Sequence, residues 1–142
     1  MMLFGQFVGS WAFDGWQAGA DGTREELSGE WRFDWALDGT AIQDVLVVPG
    51  QEHGTTIRFY DPERKRWEIT WITPVQRAVR RLIGGRVGDR IVLEGTGENG
   101  RLLRWSFNDI EPSSFVWHGE VSEDGGATWQ LREEMRLRRV SS

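Results

Sequence analysis

The chain has no cysteine among its 142 residues. Disulfides, thiol nucleophiles and thiolate-held metals are therefore excluded. There are two histidines, His53 and His118, each isolated in the sequence, fewer ligands than a zinc site requires. Proline is scarce, at four residues, and no stretch approaches the roughly 18 consecutive apolar residues of a membrane-spanning helix. A basic excess is also missing. Seventeen Lys and Arg face 22 Asp and Glu, for a net charge of −5, which repels phosphate backbones and speaks against a nucleic-acid partner. The arginine clusters (Arg77, Arg80, Arg81 and Arg132, Arg136, Arg138, Arg139) are surrounded by acids and read as solvated strand faces. Met1 to Phe7 lacks a basic n-region, and Gly5 and Gln6 interrupt its apolar run, so a signal peptide is not expected. No P-loop, dinucleotide fingerprint or Ser-His-acid order occurs. The expectation is a cytoplasmic protein of one domain, 1–142, with no metal, no cofactor, no nucleic-acid partner and no membrane span.

What the chain does have is nine tryptophans. Many belong to short runs in which apolar or small residues recur at every second position, most clearly in Leu27-x-Gly29-x-Trp31-x-Phe33-x-Trp35-x-Leu37. A period of two puts alternate side chains on one face of a β-strand. Similar segments recur every 10–14 residues, near 6–17, 26–37, 40–48, 55–60, 66–73, 76–84, 89–95, 101–108, 114–121 and 128–139. Short turn signals separate them: Asp38-Gly39, Asp61-Pro62, Asn99-Gly100 and Asp124-Gly125-Gly126. No sustained helical period is present. The pattern predicts an all-β chain, a single up-and-down antiparallel β-barrel of about 8–10 strands, since closure removes exposed edges.

Phase predicts the interior. Trp31, Phe33 and Trp35; Trp67, Ile69 and Trp71; Leu103, Trp105 and Phe107; Phe115 and Trp117; and Trp129, Leu131, Met135 and Leu137 fall on one face, alternating with polar residues. Ala41 to Val48 is apolar on both phases. Ile42, Leu46 and Val48 are read there as outward residues able to form a homodimer.

Gly9-Ser10-Trp11 resembles the Gly-x-Trp opening of lipocalins and their calycin relatives. The resemblance implies a barrel whose Trp closes one end under an Arg from the last strand, here Arg136 or Arg138. Stretches such as Gly54 to Pro62 and Arg104 to Phe107 are similar to small bacterial lipocalin-like barrels of unknown function. Ser122-x-Asp124-x-Gly126-x-Thr128-Trp129 resembles the Asp-box of sialidase propellers; a single copy reads as a structural hairpin, its Asp accepting turn N–H groups. The nitrobindin family, ten-stranded barrels that bind haem through a His, is a further comparison. His118 lies on the outward phase and would serve as a haem ligand only if Gly119 marked a bulge.

The candidate ligand-binding residues are therefore Trp31, Trp35, Gln43, Trp67, Trp71, Trp105, Trp117 and Glu133, lining a cavity for a small, flat, largely apolar or aromatic molecule. Glu133 is polar on an aromatic phase. If it points inward, desolvation raises its pKa and suits it to acid or base work; a bulge at Glu133-Glu134 or a rim position would leave it in water. Gln43 is a candidate for orienting a ligand carbonyl. Three functions are compatible with this reading. The first is binding of a small hydrophobic molecule; the second is an isomerase, cyclase or lyase with Glu133 as acid or base; the third is a structural or dimerising protein with a packed, ligand-free barrel.

Overall fold

Each period-two run forms a strand that pairs with its neighbour in sequence. The computed structural model describes residues 2–141. Its strands are β1 (Gly9–Ala18), β2 (Arg24–Ala36), β3 (Ala41–Val48), β4 (Gln51–Asp61), β5 (Arg66–Thr73), β6 (Ala78–Val87), β7 (Arg90–Thr96), β8 (Leu102–Glu111), β9 (Ser114–Ser122) and β10 (Gln130–Ser141). All are antiparallel, and pairing of β1 with β10 closes the sheet into an up-and-down barrel. No helix is long and apolar enough to cross a membrane among the described residues.

The turns carry the expected chemistry. Leu37, Asp38 and Gly39 all adopt positive φ, and Asp61 accepts the backbone N–H groups of Glu63 and Arg64 at 3.0 and 3.2 Å. In the Asp-box segment, Ser122 Oγ donates to Asp124 Oδ1 and accepts the Gly126 N–H, both at 2.8 Å. Asp124 also accepts the Thr128 N–H at 2.9 Å. These bonds, the Thr128 hydroxyl foremost, hold the Asp124 carboxyl down at about 2.

One end of the barrel is filled by the segment that leads into β1, most of it ahead of the first expected strand at 6–17. A short helix, α1 (Met2–Gly5), delivers Phe4 and then Phe7 into the interior, where both are buried. Phe4 meets Trp67 and Phe107 edge-on, with ring centroids 4.8 and 5.5 Å apart. Phe7 lies 5.0 Å from Phe107 and 4.7 Å from Phe115. Trp11 donates its indole N–H to the Phe7 carbonyl at 2.8 Å. The arginine across Trp11 is Arg139, not Arg136 or Arg138, because Arg139 shares the inward phase of Leu137. Its guanidinium sits 4.3 Å from the Trp11 ring and donates to the carbonyls of Val8 and Gln6, each at 2.8 Å. Arg136 stays outside with Glu134 and Asp14.

Two phases differ from expectation. On β3 the inward residues are Ile42, Asp44, Leu46 and Val48, while Gln43 is exposed and bonds Thr55 on the outer wall. The outward apolar patch expected from Ile42, Leu46 and Val48 is therefore absent. On β10 the register slips between Leu131 and Glu133, leaving Arg132 as the extra residue of a bulge. That flips Leu131 to the outside, opposite Glu120, and keeps Glu133 inside, opposite Gly119. Trp129 also lies off the lining, beneath the Arg104 guanidinium at 4.1 Å.

The Asp124 turn yields a pH prediction. Its carboxyl has an ordinary value of 3.8 and folds to about 2, so its stabilisation is complete above the ordinary value and fades as acid titrates the folded group. The stability gap between wild type and Asp124→Ala, measured by urea unfolding, is expected to be constant above about pH 5 and to shrink between about pH 4 and pH 2.

Candidate functional site

The α1 plug occupies only one end. Toward the other, where β1 ends and β4 and β10 begin, a cavity of about 190 Å³ remains. Trp31, Trp71, Trp105 and Trp117 wall it, with Phe13, Leu27, Leu46, Leu93, Phe107 and Met135 completing the apolar surface. The indoles stand at steep angles to one another. Trp71 and Trp105 are 6.5 Å apart at 83°, and Trp31 and Trp117 are 6.3 Å apart at 89°. Their edges and faces therefore line a slot instead of stacking shut. Two glycines make room: a Cβ at Gly54 would strike the Trp71 ring, and one at Gly119 would stand 2.9 Å from the Trp117 ring.

Polar groups stand at the two ends of this slot. At the mouth are Gln17, His53, Gln76 and Glu133. The His53 ring lies 6.3 Å from that of Trp71. Glu133 is half-buried and joins no ion pair among the described residues; burial pushes its carboxyl up, opposed only by the charge of Arg132. At the floor are Thr56 and Arg58 of β4. Arg58 is 2% exposed, and its Nη2 lies 2.6 Å from Oδ2 of the fully buried Asp44. Burial raises the Asp44 carboxyl, while Arg58 opposes the rise. Asp44 Oδ1 also accepts the Thr56 N–H at 3.1 Å. The Trp31 indole N–H lies beside the same carboxylate and has no hydrogen-bond partner among the described residues. Arg58 Nε and Nη1 have no hydrogen-bond partner among the described residues.

Of the residues singled out from sequence, Trp31, Trp71, Trp105, Trp117 and Glu133 come together around the cavity. Trp35 and Trp67 do not. Trp67 is buried against Phe4 at the plugged end, and Trp35 is 41% exposed with its ring close to Gly5 of α1. Both lie on the inward phase, but too far along their strands. Gln43 points outward. His118 is on the outer wall of β9, its Nε2 bonded to Glu134 Oε1 at 3.0 Å, so it does not present a ligand to a haem inside the barrel. The Asp44–Arg58 pair was missed. Its signal was two opposite charges on neighbouring strands, in a β4 whose apolar residues Ile57 and Phe59 face out.

Removing one member of a buried pair strands the other's charge, whereas removing both does not. Arg58→Met and Asp44→Leu are each expected to lose about 3–5 kcal/mol. The double variant should lose less than either single one, by chemical denaturation.

No protein-family model matches this chain, and no curated protein matches it. Solved structures do. The barrel is similar to that of Rv2717c from M. tuberculosis, with a TM-score of 0.67 and 16% identity over 97% of this chain and 95% of that one. It is similar also to the S-type phycobiliprotein lyase CPES from Guillardia theta, with a TM-score of 0.65 and 13% identity over 99% of this chain and 92% of that one. At these identities the likeness is one of fold, a ten-strand antiparallel barrel.

Proposed function

We propose that this barrel binds a small planar molecule, of one or two aromatic rings, in the tryptophan-walled cavity. The observation that carries the reading is the cavity itself: about 190 Å³ of space inside an otherwise tightly packed aromatic interior. Protein interiors close such voids unless something holds them open or fills them. An apolar cavity of about 150 Å³ suffices for benzene, so this volume suits one ring with a short substituent or a compact bicycle. The floor donors of Arg58, unpartnered in the chain, favour a ligand that carries an acceptor.

A second reading rests on Glu133. A carboxyl raised by burial and placed against a bound ligand suits general acid–base chemistry, such as isomerisation, cyclisation or hydration.

The binding reading is tested by titrating the protein with toluene, indole and naphthalene while following tryptophan fluorescence. A saturable change is expected for at least one of them. Leu93→Trp, which fills the cavity from β7, should weaken that binding by at least about tenfold, or 1.4 kcal/mol, with no loss of Tm. Absence of any saturable change, or equal binding by Leu93→Trp, would overturn the reading.

A further inference from the structure

The cavity's charges differ in how they are met. Among its lining residues Arg58, His53 and Glu133 carry titratable groups. Arg58 is matched at 2.6 Å by Asp44, and both lie at the floor. Glu133 at the mouth has no such match. Among the described residues no cation contacts its carboxylate, and Arg132, the neighbouring charge, is the bulged residue outside the lining. His53 shares the mouth but sits against Trp71 and makes no ion pair with Glu133 among the described residues.

An unmatched carboxylate on an aromatic wall is a poor environment for an anion and a good one for a cation. Tryptophan faces carry the negative side of the ring quadrupole, and of the aromatic side chains they attract cations most strongly. A ligand ammonium there would gain both the ring faces and the carboxylate, and would relieve the desolvation that Glu133 now bears alone. A ligand carboxylate in the same place would meet like charge.

Resting on the small-ligand reading above, we infer that the cavity's ligands are arylalkylamines, bound as cations with the ammonium against Glu133 and the ring among Trp71, Trp105 and Trp117. The floor then takes the far edge of the ring; Arg58 Nη2 remains with Asp44, while its Nε and Nη1 favour a ring that carries an acceptor there.

Three one-ring ligands of nearly equal size separate the possibilities: phenethylamine, 2-phenylethanol and phenylacetate. Their affinities are compared by calorimetry at about pH 8, where an alkylamine is still protonated. The expected order is amine tighter than alcohol by about tenfold, with phenylacetate weakest. In Glu133→Gln the amine should lose its advantage and bind about as tightly as the alcohol, and a thermal melt confirms that the variant is folded. If none of the three binds, the small-ligand reading fails and this inference with it. If the alcohol binds and the amine binds no more tightly, the cavity reading stands and the amine assignment is overturned. An amine preference that persists in Glu133→Gln overturns it as well. Should that variant not fold, the ranking in the wild-type protein decides alone.

Discussion

A closed sheet of ten strands encloses more room than its own side chains fill; about eight strands is the size at which a barrel's interior is just occupied. Much of this molecule follows from that geometric surplus. One end is stuffed by α1 and the loop after it, which bring Phe4 and Phe7 to rings contributed by β5, β8 and β9. The other end is left open. The two regimes meet at Arg58, whose guanidinium lies 5.0 and 5.2 Å from the rings of Phe4 and Phe33 on the plugged side and borders the cavity on the other.

That boundary is polar in a place where apolar residues would pack more simply. A buried ion pair is a weak source of net stability, because desolvation cancels most of the attraction. Its geometric effect is firmer. Asp44 ties β3 to β4 through both Arg58 and the Thr56 N–H, which fixes the register of two strands whose hydrophobic pattern is nearly symmetric. A one-residue slip would put the charges outside and the Phe59 face within. The pair therefore does for β3 and β4 what alternation does for the other strands.

This also explains what could be read in advance. The strands and their order were legible because every pairing except the closing one is a hairpin between sequence neighbours, and hairpins are announced locally by Asp38-Gly39, Asp61-Pro62 and Asn99-Gly100. Phase was legible where one face was aromatic, as in Trp67-Ile69-Trp71 and Trp105-Phe107. It was not legible in β3, apolar on both phases, nor across the bulge at Arg132, which moves Leu131 out while Glu133 stays in. Depth along the axis was invisible. Trp35 and Trp67 share a phase with Trp31 and Trp71, and only the tilt of the strands and the plug separate those that pack at the closed end from those that face the cavity. The arginine over Trp11 was misassigned because the two candidates, Arg136 and Arg138, lie on the outward phase, whereas Arg139 lies on the inward phase and finds three carbonyls at the rim.

The seam between β1 and β10 has a temporal meaning. It pairs Trp11 with Arg139 and Phe13 with Leu137, so the contacts that complete the ring join residues more distant in sequence than any others in the sheet. Nine hairpin pairings are local in sequence, but the ring cannot close until β10 is available to meet β1. Until then two strand edges stand open and the aromatic interior faces water. Arg139, gripping the Val8 and Gln6 carbonyls, ties the last strand to the segment ahead of the first and so spans the seam that closure requires.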